Sequence, residues 1–322
     1  MARNLTRDWR FWLLGTALLA LGAALTVPRV ALTREARDVL LVIDVTGSMN
    51  VRDYIVGGEP VSRLAMAKRA SRALLAALPC QSRLGLGIFT ERRSFLLFEP
   101  AEVCENFAAI DGAIDGLDWR MAWEGDSYVA RGVHAAISAA AGLQASLVFL
   151  TDGHEAPPLA GGALPAFDGE PGKIPGLLVG VGATEPSPIP KFDEDGREIG
   201  FYGEQDVTQE NRSGPPPADA SSRAGWNPRN APWGGEAATG TEHLSGMREE
   251  YLRQLAAQTG LGFAPLREPS SFIDAVAAET RARPVEVRVD VAPLPAALAL
   301  ACLAGLFGLG AVLGRRPERL PA

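Results

Sequence analysis

The sequence VLLVIDVTGSM, residues 39–49, decides the fold of this chain. Its uninterrupted apolar run leads directly into Asp44, Thr46 and Ser48, which occupy alternating positions. Such a run is typical of a strand buried on both faces of a parallel sheet, and sheets of this kind bind ligands beyond the carboxyl ends of their strands. One carboxylate and two hydroxyls at that point offer oxygen ligands, which small divalent cations prefer. The stretch therefore predicts a metal site at a sheet edge.

Two later segments supply more oxygen ligands. Ser127 precedes an amphipathic helical pattern, and a second apolar run, residues 147–150, ends in Thr151 and Asp152. Loops that follow parallel strands meet at one edge of the sheet. The predicted ligands are Asp44, Thr46, Ser48, Ser127 and Asp152, with Mg²⁺ preferred to Ca²⁺ or Mn²⁺. Taken singly, each of these residues could instead cap the helix or turn that follows its strand.

Strands and helices alternate along the rest of the central region. A helix capped by Ser62 follows the metal turn, and a hairpin over residues 84–98 comes next. This alternation predicts an α/β fold with a doubly wound, mostly parallel sheet and helices on both faces. The domain is expected to span residues 36–284. Two stretches rich in Pro and Gly, residues 154–175 and 184–246, are predicted to be long loops and candidates for partner contact.

Two uncharged apolar segments flank this domain, at residues 11–28 and 291–314. Each is long enough to be a transmembrane helix, which takes about 20 apolar residues. Arginines cluster near both chain ends, which predicts that residues 1–10 and 315–322 are cytoplasmic and that the domain is periplasmic, anchored in a bacterial inner membrane. A cleaved signal peptide is the alternative for the first segment, because it has a basic start and small residues near its end.

The three cysteines bear on the compartment. Cys302 lies inside the second apolar segment, where it is expected to pack as a small apolar residue. Cys80 precedes the first strand of the predicted hairpin and Cys104 follows the second, so both fall at the same end of the sheet. They could form a disulfide in an oxidising compartment, or they could stay as two unlinked thiols.

Composition and motifs exclude several functional classes. The net charge of −7 argues against nucleic acid as a partner. The three histidines lack zinc-site spacing, and the chain has neither a G-x-S-x-G elbow nor a Walker-type loop. His154 lies near Asp152, and a solvated or loop-ordering role is expected for it. No catalytic residue is predicted, and the chain is expected not to be an enzyme.

The ligand pattern resembles that of the von Willebrand factor A domain. The metal-ion-dependent adhesion site of that family has the pattern D-x-[ST]-x-S, then a later Thr and a later Asp. Asp44, Thr46 and Ser48 match the first part. Ser127 stands where the family usually has Thr, and Asp152 matches the last part. With mostly hydroxyl ligands, the bound cation would keep waters that an acidic residue of a protein client could replace.

Longer motifs narrow the resemblance. DVTGSMNVRDY, DWRMAWEGDS, VFLTDGHEAPP and PIPKFDEDGREIGFY are similar to segments of the membrane-anchored von Willebrand A proteins encoded beside bacterial methanol dehydrogenase, the MxaL type. This resemblance implies a non-enzymatic accessory role in maturing periplasmic methanol dehydrogenase, by supplying or retaining its Ca²⁺. The implied partners are that enzyme, its other accessory proteins and the membrane. Related proteins often work with MoxR-type ATPases.

Two other hypotheses stay open. The first is a general envelope or aerotolerance protein of the Bat-like group, which would share the anchors and the metal but serve other clients. The second is a metal-dependent hydrolase that uses Asp44, Asp152 and His154.

Overall fold

A computed structural model describes residues 8–26, 29–123, 125–212, 215–235 and 239–314, with side chains as far as residue 308. The chain divides into two units. The larger is Glu35–Arg283, and the smaller comprises Met1–Arg34 and Pro284–Ala322. The helices are α1 (Trp9–Thr26), α2 (Arg63–Ala77), α3 (Phe107–Asp115), α4 (Val129–Leu143), α5 (Glu249–Thr259), α6 (Pro269–Glu279) and α7 (Pro293–Gly314). The strands are β1 (Arg29–Asp44), β2 (Tyr54–Val56), β3 (Glu59–Val61), β4 (Arg83–Thr90), β5 (Arg93–Glu102), β6 (Ser146–Thr151), β7 (Gly176–Gly180), β8 (Ser187–Pro188), β9 (Pro190–Phe192), β10 (Glu198–Phe201), β11 (Leu244–Ser245), β12 (Gly262–Pro265) and β13 (Ala282–Asp290).

The larger unit is built on a mostly parallel sheet with the strand order β12-β7-β6-β1-β4-β5. Strand β1 lies between β4 and β6 and is parallel to both. Strand β5 is antiparallel to β4, since the two are joined by a tight turn and not by a crossover helix. The predicted α/β class, the mostly parallel sheet and the hairpin are thus confirmed.

The apolar core lies on both faces of this sheet. Val39, Leu41 and Ile43 of β1 pack in one layer with side chains of α2, α3 and α6. Leu40 and Val42 point the other way and pack with side chains of α4 and α5. Successive side chains of a strand alternate between faces, so an unbroken apolar run is required where both faces are covered. This burial is the physical reason for the sequence of residues 39–43.

The stretch 184–246 is more structured than a loop. It contains the strands β8, β9, β10 and β11, and β9 and β10 form a small antiparallel hairpin. These strands are two to four residues long and lack the alternating burial of a core strand, so hydrophobic periodicity does not reveal them. Strand β1 also begins earlier than its apolar run indicates. Residues 29–35 are already part of the strand, and they are exposed.

The smaller unit contains α1 and α7, and β13 pairs with β1. Ala17 and Ala20 of α1 are buried against Ala299 of α7, and Cys302 and Leu303 pack on this cluster. By length and composition, α1 could cross a membrane. Helix α7 is also apolar, but the part with described side chains, Pro293–Gly308, is shorter than a membrane span requires. The second predicted span therefore stays a prediction. The predicted cytoplasmic ends at residues 1–7 and 315–322, and residues 27–28 of the first predicted span, lie outside the described residues.

Cys80 and Cys104 form a disulfide in this structure, with their Cα atoms 5.3 Å apart. The hairpin register explains the pairing, because Arg83 at the start of β4 lies opposite Glu102 at the end of β5. This is the end of β4 remote from Phe89, which pairs with Asp44. Among the described residues the free cysteine is Cys302.

Candidate metal centre

The register of two parallel strands creates the centre of the site. Ile43 of β1 pairs with Leu150 of β6, so Asp44 and Thr151, which come next, lie side by side. The hydroxyl of Thr151 donates to Oδ2 of Asp44 at 2.6 Å. Asp152 follows immediately, and both aspartates are fully buried. The sheet therefore brings together two carboxylates that are more than a hundred residues apart in the sequence.

Thr46 and Ser48 lie in the turn that leaves β1. The backbone N–H and the hydroxyl of Thr46 both donate to Oδ1 of Asp44, at 2.9 and 2.7 Å. The hydroxyl oxygens of Thr46 and Ser48 are 3.4 Å apart. A short 3-10 helix, Gly47–Asn50, holds the turn in this shape. Asp44 thus fulfils the turn-capping role that was the alternative to metal binding, and the two roles use the same geometry.

Ser127 reaches the same place from another loop. Its backbone N–H donates to the carbonyl of Ala156 at 2.6 Å, and the N–H of Ala156 donates back at 2.8 Å. Glu155, next to Ala156, accepts a hydrogen bond from the N–H of Ala130 in the first turn of α4 at 2.9 Å. These contacts fix the loop before α4 against the loop after β6.

The hydroxyl of Ser127 gives a direct test of whether the residues fit a cation. Ser127 is only 4 % exposed, and its Oγ has no hydrogen-bond partner among the described residues. A buried hydroxyl without a partner is costly, and an ion is one of the groups that accounts for such an atom. Thr46, Ser48 and Ser127 line one pocket. The donor set fits a small cation that prefers oxygen ligands.

Asp152 is held by groups that the sequence analysis missed. Its Oδ2 accepts from Nη1 of Arg63 at 2.7 Å and from the hydroxyl of Ser245 at 2.9 Å. Its Oδ1 accepts the backbone N–H of His154 at 3.0 Å. Arg63 is fully buried although it is the first residue of α2. A cation is unfavourable at a helix N-terminus, so the position of Arg63 after the predicted cap Ser62 was the sequence feature that could have drawn attention to it.

The two aspartates have opposite electrostatic character. Burial, together with the negative charge of Asp152, raises the pKa of Asp44 to about 7 against the hydrogen bonds from Thr151 and Thr46. Burial is the largest single effect and acts to raise the pKa of Asp152, but the charge of Arg63 together with hydrogen bonds from His154 and Ser48 outweighs it and holds that pKa below its ordinary value. Asp152 is therefore ionised at neutral pH, whereas Asp44 is protonated in part of the molecules at that pH.

His154 is not solvated, and that alternative for its role is wrong. Its side chain is buried, and its Nε2 lies 3.4 Å from a carboxylate oxygen of Glu242. Burial lowers the pKa of His154 despite the nearby charges of Asp152 and Glu242, so the ring is neutral at pH 7. Glu242 belongs to the stretch 184–246, and this contact holds that stretch against the sheet edge that carries the predicted ligands, called the metal edge below. The loop-ordering alternative matches this arrangement.

A recessed pocket of about 390 Å³ lies over the predicted ligands. Its floor carries the hydroxyls of Thr46, Ser48 and Ser127, each at most 6 % exposed. Its walls combine aromatic or apolar groups with acidic ones. These wall residues include Trp119, Ala122, Trp123, Asp126, His154, Ala156, Pro157, Ile189, Tyr202, Asp206, Val207 and Glu242.

Comparison with known proteins agrees with this fold. Residues 39–154 match the model of a protein family described as the von Willebrand factor type A domain. The matched residues contain every predicted ligand from Asp44 to Asp152. The chain therefore carries a domain of this type. No curated protein matches the chain.

Several solved structures are similar at low identity. An aerotolerance-related membrane protein from Bacteroides fragilis is 14% identical, with a TM-score of 0.46, over 76% of this chain and 98% of that one. A von Willebrand factor type A protein from Catenulispora acidiphila is 13% identical, with a TM-score of 0.40, over 77% of this chain and 43% of that one. An uncharacterised membrane-spanning protein from Vibrio fischeri is 17% identical, with a TM-score of 0.30, over 74% of this chain and 95% of that one. Similarity at such low identity and TM-score does not indicate a function for this chain.

Proposed function

We propose that this chain is a membrane-anchored, non-enzymatic docking protein that holds a divalent cation, Mg²⁺ first, and binds a protein client through it. The observation that carries the proposal is the buried hydroxyl of Ser127, which has no hydrogen-bond partner in the described part of the chain and shares a pocket with Thr46 and Ser48. These three hydroxyls and Asp44 would hold the cation, and Asp152, the fifth predicted ligand, is paired with Arg63. When bound, it would supply a coordination position for a carboxylate.

The recess of the site bears on the kind of client surface. Since the floor hydroxyls are almost fully buried, a flat acidic surface could not reach a cation bound to them. A projecting loop or a chain end that carries a carboxylate could enter a pocket of about 390 Å³. Trp119 and Trp123 on the wall favour an apolar or aromatic residue beside that carboxylate.

The proposed location is the periplasmic side of a bacterial inner membrane. Helix α1 supports an anchor by its length and composition, although a signal sequence near a chain start has the same properties. The disulfide between Cys80 and Cys104 supports an oxidising compartment, since such bonds are rare in the cytosol.

The proposed client is methanol dehydrogenase or one of its other accessory proteins. Only the resemblance of the loop motifs to the MxaL type supports this client, and a Bat-like envelope protein with other clients is the alternative. To test it, the full chain in detergent is immobilised and offered purified methanol dehydrogenase in Mg²⁺ or in EDTA. We expect capture in Mg²⁺ alone. Equal capture in both buffers would contradict docking through the metal, and no capture by a chain that binds Mg²⁺ would contradict this client.

A hydrolase is the competing functional class, and His154 is its candidate base. One observation favours docking over hydrolysis. Nε2 of His154, the candidate base, lies 3.4 Å from a carboxylate oxygen of Glu242 and faces that group. Mg²⁺-dependent hydrolysis of p-nitrophenyl phosphate or acetate, lost in His154→Ala, would overturn the non-enzymatic assignment.

Binding of Mg²⁺ is expected to release protons near neutral pH. A carboxylate ligand must be deprotonated, and the pKa of Asp44 is raised to about 7, so below that pH the cation has to displace a proton. The affinity should therefore fall as the pH falls, by about tenfold from pH 8 to pH 6. Calorimetric titrations in two buffers of different ionisation enthalpy measure the released protons. An affinity that is flat between pH 6 and pH 8 would show that Asp44 does not bind the cation as a carboxylate.

A further inference from the structure

The guanidinium of Arg63 donates hydrogen bonds to several groups at the metal edge. Besides its bond to Asp152, Nη1 donates to the hydroxyl of Ser245 at 2.7 Å and Nη2 donates to the carbonyl of Ser245 at 2.9 Å. Nε and Nη2 both donate to Oδ2 of Asp53, at 2.9 and 2.7 Å. A guanidinium that is removed from water requires such complete pairing.

The position of this cation changes the charge that a metal would meet. Without Arg63, a divalent ion would lie near two buried carboxylates, Asp44 and Asp152. With Arg63, the charge of Asp152 is already balanced by a side chain 2.7 Å away. Two positive groups that share one carboxylate weaken each other's interaction with it. The net attraction that the protein offers to the metal is therefore set largely by Asp44.

We infer that Arg63 is a built-in counter-charge that limits the affinity of the site for its cation, so that tight retention of the metal requires the carboxylate of the client. This inference rests on the proposed function and adds a mechanism of regulation to it. Metal and client then bind cooperatively. Since coupling between two ligands is reciprocal, the factor by which the client tightens the metal equals the factor by which the metal tightens the client.

The structure offers two substitutions with opposite expected effects. Arg63→Gln removes the counter-charge and should tighten Mg²⁺ binding, on the order of tenfold, within the usual range of such couplings. Asp53→Asn removes the second carboxylate of Arg63 and leaves its positive charge less compensated. The Asn oxygen can still accept from Arg63, and Mg²⁺ binding should weaken by a few-fold, on the order of the smallest such couplings. Arg63→Lys keeps the charge with fewer hydrogen bonds and should bind Mg²⁺ like the unmodified chain.

The experiment is calorimetric titration of the detergent-solubilised full chain and these variants with MgCl₂. Each titration is run in sodium chloride and again with sodium acetate replacing it at equal ionic strength, so that acetate serves as the carboxylate probe. In the unmodified chain, acetate should tighten Mg²⁺ binding. In Arg63→Gln, the gain should be smaller, because the cation is already balanced by protein carboxylates. Thermal melts identify the variants that fold.

Several outcomes decide the inference. If folded Arg63→Gln binds Mg²⁺ no more tightly than the unmodified chain, the inference is overturned, and likewise if Asp53→Asn binds it more tightly. A purely structural role of Arg63 predicts that Lys, Gln and the Asp53 variant all weaken binding. Should Arg63→Gln fail to fold, Arg63→Lys and Asp53→Asn decide together: unchanged binding in Arg63→Lys with weaker binding in Asp53→Asn supports the inference, and weaker binding in both overturns it. If the unmodified chain and every folded variant bind no Mg²⁺, both the proposed function and this inference fail.

Discussion

Asp44→Asn is expected to weaken Mg²⁺ binding by about 100-fold or more, since even residues one step removed from a metal commonly contribute 10- to 100-fold. Asp44 is the carboxylate beside the hydroxyl cluster whose charge no arginine balances among the described residues, whereas Asp152 is paired with Arg63. Asparagine keeps the size and an acceptor for Thr46 but carries no charge. Calorimetric titration with MgCl₂ measures the loss, and capture of the client should disappear with it.

The same substitution has an unusual expected effect on stability. The pKa of Asp44 is about 7 in the folded chain, above the ordinary value of 3.8. The folded state thus holds the proton more tightly than the unfolded state, and this stabilisation is lost as the pH rises from 3.8 to about 7. Asparagine does not ionise, so the variant does not lose stability in this way as the pH rises. At pH 8 without metal, Asp44→Asn should melt no lower than the unmodified chain, and Mg²⁺ should raise the melting temperature of the unmodified chain alone.

Asp38→Asn is the matched control for Asp44→Asn. Asp38 lies on the same strand, where it pairs with Arg83 at 2.8 Å and Arg283 at 3.2 Å, far from the metal edge. Its replacement should leave Mg²⁺ binding unchanged. If both variants lost Mg²⁺ equally, the effect would come from disturbance of β1. If Asp44→Asn retained full affinity, the predicted ligand set would be wrong.

Replacing both Cys80 and Cys104 by serine should lower the free energy of unfolding by about 3 kcal/mol, as the bond closes a loop with a sequence separation of 24. The loss arises mainly because the unfolded chain gains freedom. In a domain of this size each kcal/mol corresponds to roughly 2–4 °C in the melting temperature. Thermal melts of the double variant against the unmodified chain, both without reductant, measure it.

The disulfide variant should bind Mg²⁺ normally. The bond lies near Arg83, at the start of β4, whereas Asp44 pairs with Phe89 at the other end of that strand. Cys302→Ser, which alters a cysteine outside the disulfide, serves as the control and should not change the melting temperature of the larger unit. Equal melting of the double variant and the unmodified chain would show that the bond does not form in the protein, and a reduced Mg²⁺ affinity would show that the two ends of the sheet are coupled.

Much of the candidate site could be predicted because its parts are local. Asp44, Thr46 and Ser48 sit within five residues, and the apolar run before them sets the strand that carries them. Thr151 precedes Asp152 in the sequence, but its bond to Asp44 was not expected, since it depends on which residues pair between β1 and β6. Ser127 was expected at the site, but the lack of a hydrogen-bond partner for its hydroxyl among the described residues could be seen only once the surrounding atoms were in place.

The sequence by itself determined the class of fold, the strand that ends at Asp44 and the five oxygen-bearing side chains at one sheet edge. These follow from periodicity and from short spacings, which act along the chain. Only the tertiary structure decided that Arg63 and Ser245 bind Asp152, that Asp53 also binds Arg63, and that Glu242 lies against His154. Ser245 and Glu242 belong to the stretch 184–246, whose described residues form no long strand or helix, and these contacts join residues up to 182 positions apart. Their charges pair because burial makes an unpaired charge too costly, and this cost exists only after the chain has folded.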